Sequence, residues 1–295
     1  MQNTMFLPDL LKGKRILVTG GGTGLGREMA AKYAELGAAL YLCGRRKDPL
    51  DQTAAELKTK YGAQVKTFAV DIRDAQAVDA MVEAIWQDGP LTGLLNNAAG
   101  NFISRTEDLS SRGFDAIANT VLHGTFYTTH AVGRRWVAGG HPGAIVSIVV
   151  TWVWTGSPFV VPSAMSKAGI DAMTKSLAVE WGRYGIRLNA IAPGIFPTEG
   201  SAKRLAPGKG LRDEATDVNP MRRVGRMSEL QNLATFLIAD GCEWLTGETI
   251  AIDGGGWLAN GASFKELFGW GDAEWQAARA AIKAQNDKDK AQRSV

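Results

Sequence analysis

The stretch "ILVTGGGTGLGREMA", residues 16–30, sets a short apolar run directly against a cluster of glycines, and the glycines open an amphipathic segment. A run of this length bounded by glycine reads as a buried strand, and the periodic segment after it reads as a helix. Gly20, Gly24 and Gly26, with Thr23 and Leu25 among them, make the turn between the two. Glycines there let the backbone turn sharply and approach a pyrophosphate closely. The helix N-terminus behind them offers free N–H groups and a partial positive charge. A glycine cluster by itself is a weak sign. Its place between the first strand and the first helix of a repeating strand–helix series makes it a strong one.

That series runs on. Further strands are expected at "AALYLCG" (38–44), "VKTFAVD" (65–71), "GLLNNAA" (93–99), "AIVSIVV" (144–150), "IRLNAIA" (186–192) and "TIAID" (249–253), after the first at 15–20. Most are apolar on both faces, as strands covered by helices on each side must be. Helices fit between them at 24–36, 50–61, 75–88, 112–138, 163–183 and 228–240. The fold class is therefore α/β: a doubly wound, seven-stranded parallel sheet in a single domain. Residues 1–270 hold this domain, and 271–295 read as a C-terminal helical tail anchored by Trp275 and Ile282. Residues 195–226 form a connection rich in Gly, Pro and charge, long enough for a functional lid. Its Lys203, Arg204, Lys209, Arg212, Arg222 and Arg223 suit phosphates. The interleaved Glu199, Asp213, Glu214 and Asp217 equally suit a solvated loop.

Bulk properties exclude several classes. With 33 basic and 30 acidic residues and a net charge of +3, the chain lacks the strong basic excess of a nucleic-acid binder. Cys43 and Cys242 lie far apart, which suggests two free thiols in a reducing compartment. His123, His130 and His141 show no ligand spacing, so no metal is expected. The opening "MQNTMFLPDLLKGKR" has no long apolar run ahead of its basic residues, unlike a secretory leader. No segment reaches the roughly 18 apolar residues of a membrane span. The expectation is a cytoplasmic protein with no membrane partner.

The second strand ends in "GRRKD" with no carboxylate for a ribose 2′-hydroxyl. Arg45 and Arg46 offer guanidinium forks suited to a phosphate instead, which favours NADP(H) over NAD(H). Asp71, after the third strand, is placed to accept from an adenine amino group, with the backbone of Ile72 beside it. Asn97, Ala98, Ala99 and Gly100 end the fourth strand, where small residues let a cofactor ribose lie against the backbone.

The chain resembles the short-chain dehydrogenase/reductase family, a Rossmann-fold group. The resemblance rests on "TGGGTGLG", "NNAAG", a lysine early in the helix after strand five and "NAIAPG" after strand six, in the family's order over residues 13–258. It implies that Lys167 binds the nicotinamide ribose, that Pro193, Gly194 and Ile195 border the nicotinamide, and that Thr198 meets the pyrophosphate. It also implies a homotetramer paired through the helix 163–183, whose apolar face runs Ile170, Met173, Leu177, Ala178 and Trp181.

The family's other catalytic residues are missing. Its asparagine falls at Val121, its serine at Val150 and its tyrosine at Ser163, so only Lys167 remains; Asn119 and Thr151 are out of register. One branch, the mitochondrial-type 2,4-dienoyl-CoA reductases, is similar in those very places. It shares "NNAAGNFIS" (96–104), and "VLHGT" (121–125), "PFVVPSAMSKAG" (158–169), "KSLAVEWGRYGIR" (175–187) and "GASFKELF" (261–268) follow it closely. The resemblance implies reduction of an unsaturated acyl-CoA thioester. There Asn101 and a tyrosine contact the thioester oxygen, and that tyrosine falls at Trp152. Ser163 either binds the Lys167 ammonium, orders a water or caps a helix after Pro162.

Conjugate reduction needs an oxyanion held by fixed donors, not a strong acid. Asn101 has two N–H donors. The Trp152 indole has one and nothing to ionise. Trp152 is either such a donor or, with Trp154, a pocket wall. The expected activity is thus an NADP-dependent dienoyl-CoA reductase. The rivals are a short-chain dehydrogenase with another carbonyl or alcohol substrate, and an NADP(H)-binding protein without turnover.

Overall fold

A computed structural model describes residues 5–198, 219–259, 267 and 269–293. Seven parallel strands form one sheet: β1 (Arg15–Thr19), β2 (Ala39–Gly44), β3 (Val65–Ala69), β4 (Gly93–Asn96), β5 (Gly143–Ile148), β6 (Ile186–Pro193) and β7 (Thr249–Ile252). Their order is β3-β2-β1-β4-β5-β6-β7. The chain therefore winds outward one way from β1 to β3, then returns and winds the other way from β4. The crevice at that reversal, between β1 and β4, is where such sheets bind ligands.

Side-chain alternation builds the two layers. Ile16 and Val18 of β1 face one way, into a core with Met29, Ala30 and Tyr33 of α1 (Gly24–Glu35) and Leu50 and Leu57 of α2 (Lys47–Tyr61). Leu17 faces the other way, into a core with Val78, Val82 and Ile85 of α3 (Ala75–Trp86). The segment expected as one helix over 112–138 is three pieces: α4 (Ser111–Ala118), a π-helical turn (Asn119–His123) and α5 (Gly124–Gly139). That wider turn carries Val121, fully buried, into an apolar cluster with Val149, Ile170, Ala190 and Ala192. A short helix, α6 (Trp152–Thr155), was not expected from the sequence. It precedes α7 (Val161–Trp181), and α8 (Met227–Ile238) completes the layer beside α1.

The face of α7 expected to pair with another copy is largely spent on this core. Ile170, Ala178 and Trp181 are buried, and Met173 and Leu177 pack against the same clusters. The large apolar side chains that α7 leaves exposed are Met165 and Val179.

Met1–Gly256 form one compact unit, which holds the whole sheet, and Trp257–Val295 form a second. The second unit carries α9 (Asp272–Arg293). In it Trp275 rests edge-on against Trp270 with ring centroids 5.1 Å apart, while Ile282 is exposed. Most of the connection 195–226 lies outside the described residues, with Glu199, Lys203, Arg204, Lys209, Arg212, Asp213, Glu214 and Asp217 among them, as do residues 261–266 and 268 of "GASFKELF".

Below the crevice a buried amide joins three elements. Asn96 Oδ1 accepts from the Thr128 hydroxyl at 2.7 Å, and its Nδ2 donates to Thr129 Oγ1 at 2.8 Å and to Ser147 Oγ at 3.5 Å. Removing it strands buried hydroxyls of α5 and β5. Asn96→Ala is expected to cost about 1–3 kcal/mol, read as a lowered melting temperature, with the far-ultraviolet circular dichroism of the native protein unchanged at 20 °C or so.

Candidate active site

The glycine turn is braced by β4. Thr19 Oγ1 accepts from the backbone N–H groups of Asn97 and Ala98, each at 3.0 Å. The Asn97 side chain returns the tie, its Nδ2 donating to Thr19 O at 3.0 Å and Gly20 O at 3.4 Å. A Cβ on Gly26 would lie 2.4 Å from Asn97 Nδ2 and 2.5 Å from Gly20 O, so only glycine fits. Gly24 has φ +57° and open space where its side chain would be, at the first turn of α1. These features form a backbone-lined cradle facing a helix N-terminus, and they fit a dinucleotide pyrophosphate. Thr23 and Leu25 lie within it.

The ends of β2 and β3 flank that cradle. Arg45 and Arg46 are exposed, and neither guanidinium hydrogen-bonds among the described residues. Val70 N donates to Gly44 O at 3.0 Å, which sets Asp71 beside them. Hydrogen bonds from Arg73, with Arg45 adding a positive field, hold the Asp71 carboxyl below the usual carboxylate range. Ile72 is buried. On the far side, Pro193 ends β6, and Gly194 N donates to Ile252 O at 3.0 Å. Ile195 is half exposed, its carbonyl accepting from Gly225 N at 2.9 Å. Ala98, Ala99, Gly100 and Thr198 are each part-exposed or exposed along the same edge of the sheet.

Lys167 reaches from α7 toward the end of β5 and is nearly fully buried, its Nζ donating to the Ile148 carbonyl. Burial pushes its ammonium down to about 8. One of three N–H donors is used, so two remain for ribose hydroxyls. Ser163 is buried but makes no hydrogen bond to Lys167. Nor does it cap a helix: α7 starts at Val161, with Val160 as its N-cap, so Ser163 lies within the first turn. Among the described residues its hydroxyl makes no hydrogen bond, which leaves it for a ligand or water.

Asn101 follows β4 on the same edge. Phe102 N donates to its Oδ1 at 2.9 Å, which fixes the amide's orientation and leaves both Nδ2 hydrogens without an acceptor among the described residues. Ser104 N donates to Phe159 O at 2.9 Å, so this loop is fastened to the one before α7. Trp152 opens α6, half-buried, and its indole N–H likewise finds no acceptor among the described residues. Sequence reasoning missed Thr19, Arg73 and the Ile148 carbonyl. Thr19 and Arg73 had local signals, a hydroxyl just ahead of the glycines and a base two residues after Asp71. The carbonyl had none. No group of histidine, cysteine and carboxylate side chains able to hold a metal occurs among the described residues. No helix among them is long and apolar enough to cross a membrane.

Comparison with known proteins agrees with this geometry. A family model described as enoyl-(acyl carrier protein) reductase matches residues 20–256. A probable 2,4-dienoyl-CoA reductase, (3E)-enoyl-CoA-producing, from Caenorhabditis elegans is 40% identical over 286 residues, covering 95% of this chain and 93% of the relative. A probable 2,4-dienoyl-CoA reductase, (2E)-enoyl-CoA-producing, from Bacillus subtilis is 40% identical over 250 residues, covering 84% and 98%. Among solved structures, a short-chain dehydrogenase from Bacillus anthracis superposes with a TM-score of 0.75 at 39% identity, covering 83% of this chain and 97% of that one.

Buried Lys167 links stability to pH. Its charged form is disfavoured in the folded state, so its proton leaves near pH 8, whereas in the unfolded chain it leaves near the ordinary lysine value of 10.5. Between those values the unfolded chain binds more protons, and stability rises with pH. The penalty is fully present below pH 8. In cofactor-free protein, wild type should gain on Lys167→Met by up to about 3 kcal/mol between pH 7 and pH 10 or so. Paired melting curves across that range measure it, and a constant gap between the two proteins would contradict it.

Proposed function

The chain belongs to the short-chain dehydrogenase/reductase family, and from that premise we propose that it reduces an unsaturated acyl thioester of coenzyme A, of the 2,4-dienoyl type, using NADPH. One observation carries the reading. The donors left unpaired among the described residues, on Asn101 and Trp152, come from groups that cannot ionise near neutral pH, while the family's acidic tyrosine position is Ser163. Such a set suits a substrate whose charge needs holding, not one whose oxygen needs a proton.

NADPH, when bound, supplies a hydride. The two spare N–H donors of Lys167 would hold the nicotinamide ribose, and the cradle formed by Gly20 to Gly26 would hold the pyrophosphate. Pro193, Gly194 and Ile195 would border the ring, and Arg45 and Arg46 would meet the 2′-phosphate as Asp71 accepts from the adenine amino group. As the far end of the dienoyl system is reduced, negative charge gathers on the thioester oxygen. The Asn101 amide, joined by the Trp152 indole, holds it there through fixed hydrogen bonds. A water then protonates the dienolate at carbon. A ketone would instead leave an alkoxide, which needs a proton that neither side chain can release.

The same reading has the protein working in the cytoplasm as a homotetramer. Exposed Met165 and Val179, on the outer side of α7, support a contact with a second copy there.

Purified protein mixed with NADPH and a 2,4-dienoyl-CoA should oxidise the cofactor, followed by its absorbance, and leave a panel of simple ketones untouched. Turnover of ketones alone would point to the other dehydrogenase chemistry, and tight NADPH binding without any turnover would point to a binding protein. Asn101→Ala should lower kcat by about 10²–10³-fold. Trp152→Phe should lower it too, and unchanged activity would assign that ring to packing.

Cofactor choice has its own check. Replacing both Arg45 and Arg46 with alanine should weaken NADPH binding by roughly 10- to 100-fold and leave NADH binding as it was. Equal losses for both cofactors would remove the 2′-phosphate role.

A further inference from the structure

The loop before α7 holds an aromatic residue in a conformation that is unfavourable on two counts. Phe159 has φ +63°, in the left-handed region that bulky side chains avoid. It is also 54% exposed. The backbone geometry has its reasons. Phe159 O accepts from Ser104 N at 2.9 Å, and Val160 after it is buried as the N-cap residue of α7. A glycine at 159 would meet both demands without strain. The phenylalanine adds strain and leaves apolar surface in water. The fold accounts for neither, and strain kept beside a site points to a role for the side chain there.

What that ring can meet follows from the loop it is tied to. Ser104 comes three residues after Asn101, at most about 11 Å away even along an extended chain. Phe102, between them, is taken up elsewhere: a Cβ on Gly113 of α4 would lie 3.5 Å from its Cζ. Ile103 is 48% exposed. Ile103 and Phe159 are therefore exposed apolar residues on two loops joined by a hydrogen bond, one of which begins at the Asn101 amide. Neither stretch, 101–104 or 156–160, carries a charged side chain. This surface suits a hydrocarbon chain and offers nothing to the phosphates of coenzyme A.

We propose that Ile103 and Phe159 form an open apolar platform for the acyl tail of the thioester, so that the protein prefers medium-length and longer chains to short ones. This rests on the reading that puts the thioester oxygen at Asn101. A tail attached to that carbonyl has to leave Asn101 along some surface, and these two loops offer an uncharged one. Methylenes laid on it leave water together with the ring beneath them. A glycine at 159 would keep the loop and lose that contact.

Calorimetric titration with hexanoyl-CoA and decanoyl-CoA, both saturated, tests the platform without turnover. Wild type should bind the longer thioester about 10-fold more tightly or better. Phe159→Gly should bring the two affinities within about 3-fold of each other, with a melting temperature equal to or above that of wild type because the strain is gone. Phe159→Leu keeps an apolar side chain and should keep most of the preference. Should Phe159→Gly fail to fold, Ile103→Ser decides, and it should narrow the ratio in the same way. Equal affinities in wild type, or the wild-type ratio kept in Phe159→Gly, would overturn the proposal. A kept ratio with a changed oligomeric state, read by sedimentation, would give the ring to a contact between copies instead. The thioester reading fails on a different result: no oxidation of NADPH with either 2,4-hexadienoyl-CoA or 2,4-decadienoyl-CoA would refute that activity, while the binding ratio still decides the platform.

Discussion

The site depends on how closely the glycine turn approaches the end of β4. One side chain, the Asn97 amide, fills the gap, donating to the carbonyls of Thr19 and Gly20 while Thr19 accepts from the Asn97 and Ala98 backbone. These bonds bridge the two strands where the winding direction reverses, which in an open parallel sheet is the place with no helix crossing above it. The crevice is thus held open and held narrow by the same contact. Because Gly26 faces that amide, a methyl group there would push the turn off β4 and carry the α1 N-terminus with it. The residues at the ends of β2, β3, β5 and β6 have a fixed edge to be placed against for this reason.

Around that edge the polar groups divide by role. Arg45 and Arg46, exposed cations whose guanidiniums make no hydrogen bond among the described residues, lie at the end of β2, where the proposed reading would put the cofactor's anionic charge. Neutral donors without acceptors among the described residues, on Asn101 and Trp152, would on the proposed reading meet charge that appears only during reaction. Lys167 lies between, buried, charged at neutral pH and tied to one backbone carbonyl. A buried ammonium with two unused donors is unfavourable by itself, and ribose hydroxyls would relieve it. On the proposed reading the cost of keeping that charge out of water would be recovered on binding, and affinity for the cofactor would be part of the fold's own energetics.

The fold was largely legible in the sequence. Each strand is a short apolar run with a glycine, proline or acidic residue at its end, and burial on both faces left little choice but a parallel sheet. The glycine turn, Lys167 and Asn101 were legible from their positions relative to those strands. What stayed hidden was nonlocal or a matter of backbone geometry. The π-helical turn at Asn119–His123 has no composition signal, since it comes from packing Val121 inward and fitting Gly124 against Ile72. The assignment of Ser163 as a helix cap failed because Pro162 marks the first turn of a helix, not the residue before it. That the apolar stripe on α7 packs within this chain was not legible either, because one-dimensional periodicity does not tell a neighbouring copy from a neighbouring strand.

That distinction bears on the missing acid. Position 121 is filled by a fully buried valine packed against Val149, Ile170, Ala190 and Ala192, so the space that the family's asparagine takes is closed by aliphatic contacts. Position 150, by contrast, is partly open, and Ser163 is buried with its hydroxyl unspent. The change from an acid-donating site is thus not one substitution at the tyrosine position. It is spread through the packing around α7, and restoring a phenol at 163 alone would put an acid beside Lys167 without the polar surroundings that proton transfer uses.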